Sequence, residues 1–537
     1  MADRGHGGLA ITRALRAFDV DHLFTLTGGH IFPILDACHR DGIRIVDVRH
    51  EQSAGYAAEG WARLTRQLGV AAVTAGPGVT NSMSPMAQAR FNRAPVLVLG
   101  GRAPTFRWGQ GSLQEIDHVP FVDPIAPAKT VTDASEVAAA VFAAAAAAVS
   151  APRGPRFLDF PLDVLFNVAD LDIGDIPRPE TAPVDEDAVT SIAEAIETAR
   201  RPVLLAGTNV WLDEAEGALR NLVETVELPA FMNGQGRGCL PADHRLAFAR
   251  ARSAAFKGAD LIVVAGTPLD FRLGFGDFGM ARVVHLDSHP DLISTHVDLH
   301  AWVGAPLAES LNAIADAMEK PADTKEWVDK LRAIEGAKRE SDAVDLHRSS
   351  TPIHPMRVYG ELVEVLERDA VVVGDGGDFV SYAGRVLPSY EPGCWLDPGP
   401  FGCLGAGPGY ALAARLAHPE RQVVALFGDG ALGFSGTELE TFVRLRLPIV
   451  AVVGNNGIWG LEKHPMQAIY GYDVAAGLQE GLRYELMLEA FGGRGETVSD
   501  AGEIGPALRR ALDSGEPYMV NVLTDPAVAY PRSANLA

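Results

Sequence analysis

Two polar residues, each at the end of an apolar run, are well suited to hold a metal ion. One apolar run begins at Val423 and ends in Gly428-Asp429-Gly430, and another, Ile449 to Val453, ends in Asn455-Asn456. The stretch between them has apolar residues at helical spacing, so the pattern predicts a strand, a helix and a strand. Parallel strands joined in this way bring their carboxyl ends to one edge of a sheet, where open α/β sheets bind ligands. We therefore expect Asp429 and Asn456 to lie close together.

The oxygens of these two side chains, with the backbone carbonyl of Ile458, form a hard and incomplete ligand set. Such a set suits Mg²⁺ whose remaining positions are filled by phosphate oxygens, so a diphosphate is the expected ligand. Each motif alone indicates only a turn or a strand end, but 24 residues separate Gly430 from Asn455 and both motifs end apolar runs. GDG followed by NN resembles the signature of the thiamine diphosphate (ThDP)-dependent enzymes.

Length and charge set broad limits on the function. A chain of 537 residues predicts about three domains. A net charge of −23 argues against nucleic acid or an anionic membrane as the main partner. No apolar run has the length of a membrane span, and the start MADRGHGG lacks the apolar core of a signal peptide, so we expect a cytoplasmic protein. Cys38, Cys239, Cys394 and Cys403 show no CxxC spacing and are expected to be free thiols.

Repeated strand, turn and helix patterns predict the α/β fold class, with three doubly wound parallel-sheet domains. The expected domains are 1–166, 186–319 and 355–537. An acidic, proline-containing segment, 167–187, has the composition of a linker, and so does 320–355, which is charged and has few apolar positions beyond one helix.

Glu51 follows a predicted strand, Ile43 to Val48, and begins a helix. A glutamate in a first helical turn by itself indicates only a favourable interaction with the helix dipole. However, RHEQSAGYAAEGWAR followed by TAGPGVTN resembles the pyrimidine-binding domain of ThDP enzymes. The resemblance implies that Glu51 hydrogen-bonds N1′ of the aminopyrimidine and that the cofactor carries out the chemistry.

Three further residues are candidates for the catalytic end of the site. The resemblance places Gln114, in GSLQEIDH, and His30, in TLTGGHIFP, beside the substrate, although a solvated loop is an equally good interpretation of the segment around Gln114. Glu462 follows the NN motif and is a candidate proton relay, or an exposed helix residue pairing with Lys463.

The cofactor contacts rest on the same resemblance. Backbone amides of the glycine-rich turn that follows the predicted strand Ala370 to Val373 can approach a phosphate closely, and Leu404 is expected to prop the cofactor in a bent shape. The expected cofactor-binding residues are Gly28, Pro77, Asn81, Gly376, Gly377, Asp378, Phe379, Leu404, Gly428, Gly430, Ala431, Asn456, Ile458 and Trp459. The expected metal ligands are Asp429, Asn456 and Ile458.

The middle domain and the tail carry weaker candidates for a nucleotide or coenzyme A site. In related families the middle domain binds FAD, ADP or the ADP part of coenzyme A, which makes Gly207, Arg272 and Asp287 candidates here. An aspartate after a strand is otherwise a helix cap. Arg532 and Ser533 resemble tails that close over a coenzyme A arm, or they belong to a frayed terminus.

The resemblance extends over the whole chain. TLTGGHIFP, GSLQEIDHV, GDGGDFV and WLDPGPFG are similar to the acetolactate synthase-like proteins that include 2-hydroxyacyl-CoA lyase of the second type. The leading prediction is therefore cleavage of a 2-hydroxyacyl-CoA to formyl-CoA and a ketone or aldehyde. The alternatives are an acetolactate synthase and a catalytically inactive regulatory paralogue. The resemblance also implies a homo-oligomer, a dimer or tetramer, in which two chains build each site.

Overall fold

The computed structural model describes residues 4–174, 176 and 180–531. Its strands form three six-stranded parallel sheets and one small antiparallel pair. This architecture confirms the predicted α/β class with three parallel-sheet domains. None of the described helices is long and apolar enough to cross a bilayer.

The N-terminal domain contains the first parallel sheet. Its strands are β1 (Arg4–His6), β2 (His22–Thr25), β3 (Arg44–Asp47), β4 (Gly69–Val73), β5 (Val96–Arg102), β6 (Ala128–Thr130), β7 (Arg156–Pro161) and β8 (Val168–Asp170). Its helices are α1 (Gly7–Arg16), α2 (Phe32–Asp41), α3 (Glu51–Thr65), α4 (Pro77–Asn81), α5 (Met83–Phe91), α6 (Val119–Val122), α7 (Val137–Val149) and α8 (Leu162–Phe166). The sheet order is β3-β2-β4-β5-β7-β6, and β8 pairs with β1, so the first predicted linker begins as a strand.

The middle domain contains the second sheet. Its strands are β9 (Pro202–Ala206), β10 (Ala230–Met232), β11 (Ala247–Phe248), β12 (Leu261–Ala265), β13 (Arg282–Asp287) and β14 (Ala301–Gly304), in the order β11-β10-β9-β12-β13-β14. Its helices are α9 (Glu186–Thr198), α10 (Thr208–Leu212), α11 (Glu216–Val226), α12 (Arg252–Gly258) and α13 (Leu307–Ala317).

The second predicted linker is largely a docked helix, α14 (Lys325–Leu346). Trp327 and Leu331, one turn apart, are buried in the middle-domain core. One turn further on, the buried Glu335 carboxylate accepts a hydrogen bond from the amide of Ala251 at 2.8 Å. The charged composition of this segment therefore reflects one solvated helix face and several paired acids rather than a loose connection.

The C-terminal domain contains the third sheet. Its helices are α15 (Pro355–Val365), α16 (Asp378–Val386), α17 (Gly407–Ala417), α18 (Asp429–Ser435), α19 (Leu439–Arg444), α20 (Gly460–Tyr470), α21 (Glu485–Ala490) and α22 (Ile504–Asp513). Its strands are β15 (Val371–Asp375), β16 (Trp395–Leu396), β17 (Val423–Gly428), β18 (Val450–Asn455), β19 (Arg494–Val498) and β20 (Tyr518–Leu523), in the order β16-β15-β17-β18-β20-β19. The single helix predicted between β17 and β18 is divided into α18 and α19 by a 3₁₀ turn, Gly436–Glu438.

Small residues allow α3 of the N-terminal domain to pack closely on α17 of the C-terminal domain. A Cβ atom on Gly409 would lie 2.7 Å from Cβ of Tyr56, and one on Gly60 would lie 3.1 Å from Cβ of Ala413. Both distances are too short for ordinary side-chain contact, so the approach of the two helices depends on glycine. This contact fixes the first helical turn of α3, where Glu51 lies, relative to the C-terminal sheet.

Arg63, near the end of α3, ties the three domains together. Its Nε atom donates to Oε1 of Gln235 at 3.0 Å, in the middle domain. Its Nη1 atom donates to the carbonyl of Asp397 at 2.7 Å and to the hydroxyl of Tyr410 at 3.1 Å, both in the C-terminal domain. Because the Arg63 side chain is only 1% exposed, these bonds and the Glu59 carboxylate, 3.6 Å from Nη1, offset the cost of burying its charge.

Candidate active site

The predicted metal motifs lie at the edge of the C-terminal sheet where β15, β17 and β18 end side by side. Asp429 begins α18 directly after β17, and Asn456 follows the last residue of β18. Gly428 and Gly454 are partners in the ladder between these two strands. The two motifs are thus brought to neighbouring positions by the strand register.

Asp429 is held by backbone amides from both motifs. Its Oδ1 accepts from the amide of Gly430 at 2.9 Å, and its Oδ2 accepts from the amide of Gly457 at 2.7 Å. Burial raises the pKa of Asp429 to about 6, while the two amides act in the opposite direction. The Gly457 bond joins the GDG motif to the NN motif directly.

Asn456 is oriented by a second acid, Asp378. Nδ2 of Asn456 donates to Oδ2 of Asp378 at 3.2 Å, and Oδ1 of Asn456 accepts from the amide of Ile458 at 3.2 Å. Burial raises the pKa of Asp378, and the charge of Asp378 in turn contributes to the raised pKa of Asp429. Two mostly buried carboxylates therefore lie within electrostatic reach of each other.

This donor set fits a hard divalent cation. A cation bound to Asp429 would relieve the repulsion between Asp378 and Asp429, and Oδ1 of Asn456 and the carbonyl of Ile458 are the nearby oxygen donors expected from the sequence. Within the described residues there is no cluster of three or more His, Cys, Asp or Glu side chains that could hold a metal. A single carboxylate completed by amide, carbonyl and phosphate oxygens is consistent with that finding.

The glycine-rich turn after β15 forms the other wall of this edge. Gly376 has a φ of +146°, and a Cβ atom there would lie 2.8 Å from the amide nitrogen of Gly428. Gly377 precedes α16, whose N-terminus has the polarity that attracts a phosphate group. This geometry would let the backbone approach an anion closely, and the diphosphate contacts of Gly376 and Gly377 stay predictions.

Two of the expected diphosphate contacts have other partners. The Asp378 carboxylate accepts from Asn456 and from the amide of Phe379 at 2.9 Å, and its contact with the cofactor stays a prediction. The Phe379 ring is buried, and a Cβ atom on Gly454 would lie 2.2 Å from it. All four predicted residues, Gly376 to Phe379, lie in one turn.

Trp459 closes the site from the side of α20. A Cβ atom on Gly430 would lie 2.5 Å from the Trp459 ring, so glycine is needed for this packing. The Trp459 ring is nearly perpendicular to Phe434, with 6.3 Å between ring centroids. Ala431 is buried beneath them, at 2% exposure.

Glu51 lies at the corresponding edge of the N-terminal sheet. It is the first residue of α3 and is 8% exposed. Oε2 of Glu51 accepts a hydrogen bond from Nδ2 of Asn81 at 3.0 Å. Asn81 ends α4, the short helix that begins with Pro77, so the segment TAGPGVTN positions the carboxylate.

His30 and Gln114 are brought together by Thr74, which follows β4. The distance from Nδ1 of His30 to Oγ1 of Thr74 is 3.1 Å, and Thr74 donates to Oε1 of Gln114 at 3.3 Å. A Cβ atom on Gly28 would lie 2.4 Å from Cβ of Thr74. Burial and the nearby His118 lower the pKa of His30. The predicted substrate-side residues therefore form one polar chain at this edge, and their catalytic roles stay predictions.

The sequence analysis missed a buried set behind this chain, formed by His118, Asp159 and Arg102. The amide of Gly76 donates to Nε2 of His118 at 3.0 Å, and Nδ1 of His118 lies 2.8 Å from Oδ2 of Asp159. Because Nε2 accepts, the Nδ1 side of the ring is the side that faces the Asp159 carboxylate. Arg102 donates to the same Asp159 oxygen at 3.0 Å. The one available signal was the position of His118, four residues after Gln114 in the same polar loop.

Comparison with known proteins identifies the family. The thiamine pyrophosphate enzyme models match this chain over residues 6–121 for the N-terminal TPP-binding domain, 189–314 for the central domain and 375–522 for the C-terminal TPP-binding domain. The chain belongs to the thiamine pyrophosphate enzyme family.

Two named relatives cover almost the whole chain. The acetolactate synthase large subunit IlvG of Mycobacterium tuberculosis is 53% identical over 546 residues, which include 99% of this chain and 98% of that protein. The 2-hydroxyacyl-CoA lyase 2 of Homo sapiens is 34% identical over 573 residues, with 96% and 90% covered. This thiamine pyrophosphate enzyme is therefore similar to proteins named for two different reactions.

Leu404 and Glu462 are the remaining predicted site residues of this thiamine pyrophosphate enzyme. Leu404 lies in the loop before α17 and is only partly buried, which leaves part of its side chain open to a ligand. Glu462 is exposed in the first turn of α20, and its amide donates to the carbonyl of Trp459 at 3.1 Å. Both assignments stay predictions.

The middle-domain candidates are engaged within their own domain. Oδ1 of Asp287 accepts from Nδ2 of Asn209 and from the amide of Ser288, each at 2.7 Å, and the residue is 2% exposed. Arg272 forms an ion pair with Asp270 at 2.7 Å. A Cβ atom on Gly207 would lie 2.3 Å from Cβ of Thr267, so this glycine is required by packing. These contacts explain all three residues without a nucleotide. Arg532 and Ser533 lie outside the described residues.

Proposed function

We propose that this chain is a ThDP- and Mg²⁺-dependent acetolactate synthase. In this reaction two molecules of pyruvate and one proton give acetolactate and CO₂. The observation that carries the proposal is the 53% identity over 99% of the chain to a protein named acetolactate synthase, together with the two half-sites around Glu51 and Asp429. The sequence alone favoured the lyase over the synthase. We reverse that order because the lyase relatives are more distant, at 31–35% identity.

The residues of each half-site have separate tasks. Asp429, Asn456 and the carbonyl of Ile458 would hold Mg²⁺, and the turn at Gly376 and Gly377 would receive the diphosphate. The bound cofactor would supply an electron sink for the carbanion that remains after CO₂ leaves. Glu51, positioned by Asn81, can keep its carboxylate at a ring nitrogen and direct a proton there.

The substrate-facing groups lie on the N-terminal edge. His30, Thr74 and Gln114 offer hydrogen-bond donors and acceptors to the carboxylate and carbonyl of a 2-oxo acid. His118 fixes the turn at Gly76 beneath them, so its role is to position this chain of groups. Burial of His30 and Thr74 limits the access of water to this end of the site.

Cleavage of a 2-hydroxyacyl-CoA is the second candidate. It is favoured by the segment after NN, GLEKHPMQ, which departs from the pattern expected of branched-chain acetolactate synthases. In this reaction the bond between C1 and C2 of 2-hydroxyisobutyryl-CoA breaks, giving acetone and formyl-CoA. Glu462, in the first turn of α20, would then be a candidate to exchange the proton.

We also propose that each site is shared between two copies of the chain. Glu51 and the Asp429 motif belong to different domains, and the family resemblance pairs these domains across a dimer. The minimum assembly would then be a dimer, with a tetramer as a pair of dimers.

A paired assay tests the proposal. The protein, loaded with ThDP and Mg²⁺, is incubated with pyruvate and, separately, with 2-hydroxyisobutyryl-CoA, and acetolactate and formyl-CoA are measured. Acetolactate formation that is lost in Glu51→Gln supports the synthase. Formyl-CoA release without acetolactate formation would establish the lyase instead, and ThDP binding with neither product would indicate the inactive paralogue.

A further inference from the structure

Two residues of the N-terminal domain, Gly76 and Gln114, lie against each other in left-handed backbone conformations. The φ angles are +61° for Gly76 and +58° for Gln114. A Cβ atom on Gly76 would lie 2.9 Å from Cβ of Gln114, so their contact requires glycine at position 76. Gln114 is not a glycine, and a left-handed backbone is costly for a residue that carries a Cβ atom. Other contacts must therefore hold Gln114 in this conformation.

His118 connects the segments of these two residues. It follows Gln114 by four residues in the same loop, and its Nε2 atom accepts a hydrogen bond from the amide of Gly76 at 3.0 Å. Its carbonyl accepts from the amides of Phe121 and Val122 at 3.2 and 3.1 Å, where α6 begins. The imidazole therefore joins the loop that carries Gln114 to the turn that carries Gly76.

The His118 ring is anchored to two strands of the sheet. Its Nδ1 atom lies 2.8 Å from Oδ2 of Asp159 in β7, and Arg102 at the end of β5 donates to the same oxygen at 3.0 Å. β5 and β7 are paired, with Gly100 opposite Asp159. His118 and Asp159 are both fully buried, and Oδ1 of Asp159 has no hydrogen-bond partner among the described residues. Paired strands thus fix the ring through one carboxylate oxygen.

The two sides of the N-terminal half-site depend on this anchor to different degrees. Glu51 begins α3, whose close packing on α17 fixes it independently of the turn at Gly76. Gln114 lies in a segment, 109–118, that contains neither helix nor strand. Loss of the bond between His118 and Gly76 should therefore displace Gln114 and leave Glu51 in place.

We propose that Asp159 and His118 form a positioning pair that holds Gln114 in its left-handed conformation and so aims its side-chain amide at the substrate. The inference rests on the proposed function only in taking Gln114 to face the substrate, and it applies equally to pyruvate and to a 2-hydroxyacyl-CoA. Neither member of the pair touches the reacting atoms. Their effect on turnover should therefore pass entirely through Gln114.

Amide hydrogen exchange, measured by mass spectrometry on the full-length protein loaded with ThDP and Mg²⁺, tests the positioning pair without using activity. His118→Phe keeps a buried ring and removes both hydrogen bonds, so the peptide that contains Gly76 should exchange about tenfold faster. His285→Phe is the matched control, because His285 is also fully buried and its Nδ1 accepts from the amide of Ser294 at 3.1 Å, in the middle domain. The control should leave exchange around Gly76 unchanged.

Conservative variants separate the two bonds of the ring. His118→Gln can offer its Oε1 atom to the amide of Gly76, whereas His118→Asn is shorter and can reach only the Asp159 side. We expect the asparagine variant to lose about tenfold or more in kcat/KM, with whichever substrate the enzyme turns over, and the glutamine variant to lose less. Asp159→Leu should speed exchange at Gly76 without contacting it, and Asp159→Asn should not, since its amide oxygen still accepts.

A double-variant cycle tests whether the effect passes through Gln114. If it does, His118→Asn combined with Gln114→Ala should be no slower than Gln114→Ala alone. Additive losses would overturn the proposal, as would unchanged exchange at Gly76 in His118→Phe. If His118→Phe fails to fold, exchange in the glutamine and asparagine variants gives the same test, and faster exchange in the glutamine variant would count against the pair. Because exchange is read without substrate, a protein that turns over neither substrate would contradict the proposed reaction and still report on the pair.

Discussion

Two aspartates lie at the carboxyl ends of parallel strands, Asp429 in the C-terminal domain and Asp287 in the middle domain. They are similarly buried but differ in their hydrogen-bond partners. Both are almost fully buried, and burial raises the pKa of each to about 6. Asp429 accepts only backbone amides and lies near a second acid, Asp378. Asp287 is bonded by the side chain of Asn209 and has both a cation, Arg93, and an acid, Asp213, nearby.

This difference shows that an acid at the end of a strand cannot be assigned to a ligand-binding site from its position alone. Neutral and cationic neighbours satisfy Asp287 within the protein, so it stabilises the loop after β13. The acid near Asp429, Asp378, raises the pKa of Asp429 further, and a bound cation would offset its charge. Four changes to these edges test that contrast, from the largest expected effect to the smallest.

Asp429→Asn should abolish activity, whereas Asp287→Asn should leave it within about twofold. Loss of the metal-bound carboxylate removes several kcal/mol of binding, which corresponds to about 10³-fold or more in turnover. Initial rates and ThDP binding measured on both variants at saturating Mg²⁺ check this. Equal losses in the two variants would contradict the assignment of the metal site to the C-terminal edge.

Glu51→Gln should lower turnover by about 10²–10⁴-fold, because an amide cannot direct the proton as a carboxylate does. If two chains share each site, mixing Glu51→Gln with Asp429→Asn and allowing the subunits to exchange should restore about a quarter of wild-type activity, since half of the mixed dimers' sites are intact. Absence of any recovery, with exchange verified by mass, would argue for sites within one chain.

Asp378→Asn should weaken Mg²⁺ binding by about 10–100-fold without unfolding the protein. The carboxamide can still accept from Asn456 through its oxygen, but the negative charge beside Asp429 is lost. Mg²⁺ titration of ThDP-loaded protein, followed by activity, measures the effect. Asp287→Asn is the control for loss of a buried strand-end charge, and it should leave the Mg²⁺ titration unchanged.

Asp287→Asn should raise the thermal midpoint of the cofactor-free protein at pH 7.5. Because the folded pKa is about 6 and the ordinary value is about 4, ionisation of Asp287 costs the folded state on the order of 1–3 kcal/mol above pH 6. That cost falls as the pH drops through 6 and disappears below 4. Both bonds to Oδ1 survive in the amide. Thermal melts of the variant and the wild-type protein at pH 7.5 and 5 measure the difference between their midpoints. A larger difference at pH 5 than at pH 7.5 would contradict the claim that ionised Asp287 destabilises the folded state.

Much of this organisation could be predicted from local patterns. Alternating apolar runs and helical spacing gave three parallel sheets, and the ends of β17 and β18 placed Asp429 beside Asn456. The boundaries between domains were harder to predict, because the charge of α14 resembles a linker and its two buried apolar residues are a weak signal. The break between α18 and α19 was missed for a similar reason: apolar spacing continues across the 3₁₀ turn.

Residue types at strand ends and in glycine-rich turns were sufficient to predict that Asp429 and Asn456 meet at one edge, because short-range spacing fixes which side chains reach one end of a parallel sheet. Only the tertiary structure decided which polar groups are already satisfied. Asp287 and Arg272 have internal partners, and His118 supports the turn at Gly76. Such pairings join residues that are distant in the chain, and burial and charge balance depend on all the elements packed around a group.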